Sequence, residues 1–232
     1  MEFQRARNDK QREQRRQLIL GTAARMLADM PVAELSLNEL SRQVGLAKSN
    51  VLRYFETREA ILLELLSAEL RAWAELLDIL PTANGAAPRQ RIDHLARLVT
   101  DSLAERPLLC DLASAQAAVL ERNVSTAVVL THKLAVREAV ERLADTFRRH
   151  LPELTHEDAL QAISVALLMT AAAWPHSTPT QAALDAYDAE PGLAELHLDF
   201  ADYIRSTLET VLSGILARKT DSDLVNAGQR AR

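Results

Sequence analysis

Side chains able to bind an anionic partner are concentrated in residues 45–55, GLAKSNVLRYF. Cationic groups donate to phosphates and to guanine, and short polar side chains let a helix end approach base edges. The stretch also ends in an aromatic pair, in a chain that is only 4% aromatic. The candidates for contact with a partner are Lys48, Ser49, Asn50, Arg53 and Tyr54.

A helical conformation would divide this stretch into two faces. Val51 and Phe55 lie four residues apart, so both would point to a core while the candidate residues face outward. A helix this short fits the major groove of DNA, which is about 12 Å wide. The stretch alone leaves a second interpretation open, an amphipathic helix whose charges touch only water.

The residues before this stretch predict another short helix. Ser36 followed by Glu39 is a capping box, and Gly45 suits a helix end. Its buried stripe is Leu37, Leu40 and Val44. A short helix, a tight turn with glycine and a second short helix make a helix-turn-helix arrangement.

A further helix is predicted after the stretch, with Thr57 as its cap and Arg58 and Glu59 in its first turn. Ser36 and Thr57 therefore each open a helix, and the free N–H groups of a helix N-terminus attract anions. Two such ends beside a polar helix predict a phosphate clamp around a segment that enters a DNA groove.

The composition predicts an all-α globular protein. Of 232 residues, 48% are hydrophobic and 25% charged, with only six glycines and eight prolines. Ala, Leu, Glu and Arg dominate, and these favour helices. Cys110 is the single cysteine, which excludes an intrachain disulfide and a cysteine metal cluster. Since neither a secretory signal nor a long apolar run stands out, we expect a cytoplasmic protein without a membrane span.

Catalytic patterns are missing from the sequence. His150, His156, Glu157 and Asp158 are close together but lack the spacing of a His-Glu-x-x-His zinc site. There is no glycine-rich phosphate loop and no Gly-x-Ser-x-Gly elbow. We therefore expect no enzyme activity, no metal and no cofactor.

The chain divides into four parts. Residues 1–16 form a basic arm, flexible at first and helical toward its end, and residues 17–60 form a three-helix head with the helix-turn-helix. Residues 61–219 form a larger helical body, and residues 220–232 a flexible tail. The net charge is +3 for residues 1–60 and −8 for the remainder, so an anionic partner would meet the head.

The head resembles the DNA-binding domain of the tetracycline-repressor (TetR) family over about 50 residues. The positions that carry the resemblance are Ile19, Ala23, Ala24, Ser36, Leu40, Ser41, Val44, Gly45, Leu46, Phe55, Thr57, Arg58 and Glu59. It implies phosphate contacts from Ser36 and Arg58. It also implies contacts to DNA from Lys48, Ser49, Asn50, Arg53 and Tyr54.

Two positions depart from the family pattern. Ala47 replaces a capping serine, and Leu52 replaces a tyrosine that reaches the DNA backbone in the family. Tyr54 and the arginines of residues 1–16 could compensate for these losses. We expect deletion of the arm to lower DNA affinity.

The resemblance also implies a ligand cavity in the body and a homodimer formed by the last two long helices, expected over residues 155–174 and 193–219. The apolar dimer stripes are Leu160, Ile163 and Leu167 on the first helix, and Phe200, Ile204, Leu208, Val211 and Ile215 on the second. These stripes carry more apolar surface than packing against one neighbouring helix needs, which favours a dimer interface. The alternative is that all of this surface belongs to the core of the monomer. The candidates for ligand contact are Gln116, His132, Met169 and Trp174.

The functional prediction is a ligand-responsive DNA-binding regulator of transcription, a repressor, which binds a palindromic operator as a homodimer and is released by a small molecule. Its partners would be double-stranded DNA and an unidentified effector. The alternative is an all-α module that binds a small molecule or a protein and has lost DNA binding, as Ala47 and Leu52 would allow.

Overall fold

The computed structural model describes the backbone of residues 2–230, with side chains over 10–190, 192–193 and 195–219. This part of the chain is helical and holds no strand, as the composition predicts. The helices are α1 (Glu2–Met26), α2 (Leu37–Val44), α3 (Lys48–Val51), α4 (Arg58–Asp78), α5 (Pro88–Ala104), α6 (Pro107–Ala115), α7 (Thr126–His150), α8 (His156–Ser177), α9 (Gln181–Ala189) and α10 (Phe200–Arg230).

Helices α1 to α3 form the head. The Ser36 hydroxyl accepts the Glu39 N–H at 3.1 Å and so caps α2, while Gly45 ends α2 with a φ of 73°. Only half of the predicted capping box forms, because the Glu39 carboxylate accepts from Arg42 and Gln43 instead. Thr57 caps α4 as expected, accepting the Ala60 N–H at 3.1 Å.

Both ends of the chain are more helical than the sequence predicted. α1 begins at Glu2, whereas the sequence predicted an arm that is flexible at first and helical only toward residue 16, and α10 continues to Arg230 beyond the predicted end at residue 219. The basic arm is rich in Arg, Gln and Glu, which are good helix formers, and it has no proline or glycine. A helix that extends out of a packed segment therefore does not need a hydrophobic period of its own.

The long helix α4 passes from the head into the body, where it packs mainly against α7 and α6. The apolar helix α8 is the one described helix that is long and apolar enough to cross a membrane, and here it packs against α6, α7 and α10. α8 also continues through Pro175, although the sequence predicted that it ends at Trp174.

Most residues predicted for the dimer stripe lie in the core of the single chain. Ile163, Phe200, Ile204, Leu208 and Ile215 are all buried, because α10 packs against both α5 and α8. The remaining three, Leu160, Leu167 and Val211, are half-buried. The alternative, monomer core, therefore holds for most of this apolar surface.

Candidate nucleic-acid interface

The short helix α3 has the two faces that its sequence predicts. Val51 is 0% exposed and Phe55 4% exposed, so both rest in the core of the head. On the opposite side the exposed residues are Lys48, Ser49, Asn50 and Arg53. The helical turn continues past Val51, since the Arg53 N–H donates to the Asn50 carbonyl at 3.2 Å and the Tyr54 N–H to the Val51 carbonyl at 2.9 Å.

Three residues make this surface less polar than the family pattern. Tyr54 is half-buried and packs against the head core, so its ring is less available than the sequence suggested. Leu52 is 40% exposed and stands where the family has tyrosine, so an apolar side chain interrupts the polar surface. Ala47 caps α3 without any side-chain hydrogen bond, as its methyl group requires.

An open groove of about 1120 Å³ lies between α1 and α3. Arg12 and Arg15 line it from α1, and Asn50, Arg53 and Tyr54 line it from α3 and the turn that follows. Sequence reasoning assigned the arm a general basic role without singling out these two arginines. Their spacing of three residues was the available signal, because such residues share one face of a helix.

The cations around this groove are free to bind an anion. Among the described residues, the side chains of Arg12, Arg15, Lys48 and Arg53 have no hydrogen-bond or ion-pair partner. Arg42 differs, because it binds the Glu39 carboxylate on the surface of α2. A group of exposed, unpaired cations beside a helix of short polar side chains is suited to a polyanion such as DNA.

Arg58 lies in a different environment from the one expected of a phosphate contact. Its Nη1 donates to the Leu35 carbonyl at 2.9 Å and its Nε to the Glu59 carboxylate at 3.1 Å. These bonds use Nε and Nη1, so a phosphate contact from Arg58 would have to come from Nη2. Ser36 is exposed at the N-terminus of α2, in the position that a phosphate contact needs.

Arg16 joins α1, the α3 turn and α4, a role that sequence reasoning missed. Its guanidinium binds both carboxylate oxygens of Glu64 and donates to the Tyr54 carbonyl at 3.0 Å. It also lies over the Phe55 ring, 4.3 Å from the centroid. Arg16 therefore fixes the segment after α3 relative to α4.

The four predicted ligand contacts do not share one cavity. Gln116 donates to Glu121 at 2.7 Å in the π-helical turn after α6. Met169 accepts from the Tyr203 hydroxyl at 3.8 Å, and Trp174 packs edge-on against Phe200, so both lie between α8 and α10. Of the four, His132 alone lines a described cavity of the body, one of about 570 Å³ between α1, α4 and α7.

The His132 ring is held by Ser67 on α4. The His132 Nδ1 lies 2.8 Å from the Ser67 oxygen, and the Ser67 hydroxyl donates to the Leu63 carbonyl at 2.9 Å. Burial lowers the pKa of His132, and the neighbouring Lys133 lowers it further. His132 is therefore neutral at physiological pH.

Comparison with known proteins gives the family. The profile of bacterial regulatory proteins of the tetR family matches residues 19–65, and that of the tetracyclin repressor-like C-terminal domain matches residues 67–219. No curated protein matches the chain in sequence.

Solved structures share the fold. A TetR transcriptional regulator from Rhodococcus sp. RHA1 has 12% identity and a TM-score of 0.53, over 88% of this chain and 96% of that one. The FadR repressor of Thermus thermophilus, in complex with lauroyl-CoA, has 19% identity and a TM-score of 0.53, over 87% and 95%. FadR of Bacillus subtilis, in complex with stearoyl-CoA, has 15% identity and a TM-score of 0.51, over 85% and 98%.

Because the solved structures share so few identical residues with this chain, they establish its fold alone. The two sequence profiles establish the family to which it belongs. The first profile covers the helices that present the polar surface of α3, and the second covers most of the body. The chain belongs to the TetR family of bacterial transcriptional regulators.

Proposed function

We propose that the chain represses transcription by binding a palindromic DNA operator as a homodimer, and that a small molecule releases it. The observation that carries the proposal is the outward face of α3, where Lys48 and Arg53 are exposed and have no partner among the described residues, while Val51 is fully buried. In this arrangement α3 enters the major groove. Arg53 contacts a guanine or a phosphate, and the exposed Ser36 contacts the backbone.

The α1 arginines extend this contact. Arg12 and Arg15 line the same groove as Arg53, so DNA seated against α3 would bring its phosphates close to them. Phosphate contacts raise affinity for all sequences and make binding depend on salt. These contacts compensate for Leu52, which offers no hydrogen bond to the backbone.

A homodimer places two α3 helices in successive major grooves, about 34–36 Å apart. The available surface is the outer side of α8 and α10, where Leu168 is 66% and Tyr203 41% exposed. The other exposed residues of this outer side are small or polar: Gln161, Ser164 and Ala172 on α8, and Ser206, Thr210 and Gly214 on α10. Small side chains let helices of two subunits approach closely.

A small-molecule effector is supported by the cavity beside His132 and by the two related folds that hold acyl-CoA ligands. Effector and operator affect each other's affinity by the same factor, because binding linkage is reciprocal.

The DNA-binding proposal is tested with the DNA upstream of the chain's own gene. Fluorescence anisotropy over a salt series should show specific binding by the wild type, whose affinity falls as salt rises. Deletion of residues 2–15, which retains Arg16, should weaken binding to all sequences. No binding to any neighbouring promoter at low salt would favour the alternative of a binding module without DNA recognition, which Ala47 and Leu52 support.

The dimer proposal is tested separately with Leu168→Arg. We expect the wild type to be a dimer and this variant a monomer by light scattering, because the substitution places a charge at the centre of the proposed contact. Leu184→Arg on α9 is the matched control, since Leu184 is 39% exposed but lies outside this surface. A wild-type monomer, or a dimer that survives Leu168→Arg, would contradict the proposed surface.

A further inference from the structure

Leu52 is an apolar side chain on the polar outer face of α3, and it is 40% exposed. The other exposed residues of the segment 48–53 are Lys48, Ser49, Asn50 and Arg53. By contrast, the nearby Leu46 and Tyr54 are half-buried and pack against the core of the head. Packing within the head therefore accounts for Leu46 and Tyr54 but leaves part of Leu52 in contact with water.

The backbone places Leu52 outside the groove between α1 and α3. Its N–H donates to the Lys48 carbonyl at 3.0 Å, and its φ of −65° and ψ of −10° are helical. Residues three and four apart share a face of a helix, so Leu52 lies beside Lys48 and Ser49. Asn50 and Arg53 line the groove, whereas Leu52 does not. Leu52 is therefore presented with Lys48 and Ser49 to a partner outside the chain.

The major groove of DNA offers Leu52 a specific apolar partner. Its base edges carry hydrogen-bond donors and acceptors, and their apolar group is the C5 methyl of thymine. An amino group of adenine or cytosine placed against a leucine side chain would lose water without gaining an acceptor, which is costly. A thymine methyl in the same place is stabilised, because apolar surface leaves water on both sides. The exposed cations Lys48 and Arg53, which have no partner among the described residues, attract the phosphates that bring α3 to these base edges.

We propose that Leu52 is a specificity-determining residue that contacts the C5 methyl of one thymine in each half of the operator. This inference rests on the proposed function, because it requires α3 to enter the major groove. It goes further in naming a base that the chain selects and the side chain that selects it. Leucine at this position thus replaces a hydrogen bond to the DNA backbone by an apolar contact to a base.

The first experiment removes only methyl groups from the DNA. The DNA upstream of the chain's own gene is synthesised with thymine and, in a second preparation, with uracil at every thymine position. Fluorescence anisotropy should show that the wild type binds the thymine DNA about fourfold or more tightly, which corresponds to one buried methyl group. Equal affinity for the two DNAs would overturn the proposal, because Leu52 would then contact only the sugar–phosphate backbone or water.

Variants of Leu52 assign the methyl contact to this side chain. Leu52→Ala should bind the thymine and uracil DNAs with equal affinity, and the exposure of the site makes this variant compatible with folding. Leu52→Met keeps an apolar side chain of similar size and should keep the preference for thymine. Leu130→Ala, at a leucine of α7 that is 57% exposed, is the matched control and should also keep it. An undiminished preference in Leu52→Ala would assign the contact to another residue and refute the proposal.

Single replacements of thymine by uracil locate the contact in the DNA. One position in each half of the bound site should account for the loss of affinity in the wild type, and the same replacement should leave Leu52→Ala unaffected. A loss spread evenly over all thymines of the site would rule out a contact by this one side chain. Binding without a thymine preference would refute this inference alone, whereas failure of the wild type to bind either DNA at low salt would refute the proposed function and this inference with it.

Discussion

The two sides of the head differ in what their arginines contact. On the side of α3, Arg53 is exposed and has no partner among the described residues, and Arg12 and Arg15 share its groove. On the side that faces α4, Arg58 donates to the Leu35 carbonyl and Arg16 binds Glu64 and the Tyr54 carbonyl. We infer that the position of an arginine in the motif does not decide its role. An arginine with partners in the chain holds the motif together, and one without a partner among the described residues is available to DNA.

The largest expected effect concerns the inner face of α3. Phe55→Ala should lower the free energy of unfolding by about 3–5 kcal/mol, because it leaves a cavity in the head core and removes the ring beneath Arg16. Leu52→Ala is the matched outer-face variant and should change it by less than about 0.5 kcal/mol. Urea denaturation measures both, and equal losses would show that the two faces are not distinct.

The body contains a buried histidine, His150. His150 is 2% exposed, and neither ring nitrogen has a hydrogen-bond partner among the described residues. Burial, followed by the neighbouring charges of His94 and Arg149, lowers its pKa to about 4. As pH falls below about 6.5, the unfolded chain takes up this proton before the folded chain does, so stability is lost between about pH 6.5 and 4.

The expected size of this loss is about 2–3 kcal/mol. Urea denaturation at both ends of this pH range should show that the wild type loses that much more stability than His150→Leu does. His176→Asn, at an exposed histidine of α8, is the matched control variant. If His150→Leu has the same pH dependence of stability as the wild type, the conclusion that His150 is buried as a neutral ring is wrong.

The contacts of Arg16 give the next effect. Arg16→Ala should lower the free energy of unfolding by about 1–3 kcal/mol, because it leaves Glu64 and the Tyr54 carbonyl without their donor. Arg12→Ala, on the same helix and without a partner among the side chains that the structure describes, should change it by less than about 0.5 kcal/mol. It should instead weaken DNA binding and reduce its salt dependence. The opposite result, a stable Arg16→Ala and an unstable Arg12→Ala, would reverse the comparison.

The sequence predicted the features that depend on local spacing. The inward positions of Val51 and Phe55 followed from their separation, and the caps at Ser36 and Thr57 from residue type. Long-range contacts had no local signal. The partner of Arg58 lies 23 residues away and that of Arg16 lies 48 residues away, so their roles became visible only in the fold.

The dimer stripe shows the same limit in the body. A row of apolar residues from Phe200 to Ile215 indicates a buried face, but it does not say which surface covers that face. Here α5 and α8 of the same chain cover it, which leaves the smaller and more polar side of α10 outside. Likewise, Gln116 and Trp174 share a polar or aromatic character with ligand contacts, yet each has a partner within the chain.

The most direct test of the comparison measures DNA affinity and stability together for Arg53→Ala and Arg58→Ala. Arg53→Ala should weaken specific DNA binding by about 1–3 kcal/mol in fluorescence anisotropy and leave the free energy of unfolding unchanged. Arg58→Ala should lower the free energy of unfolding while the salt dependence of DNA binding stays as in the wild type. Full DNA affinity in Arg53→Ala, together with a reduced salt dependence in a stable Arg58→Ala, would contradict the account.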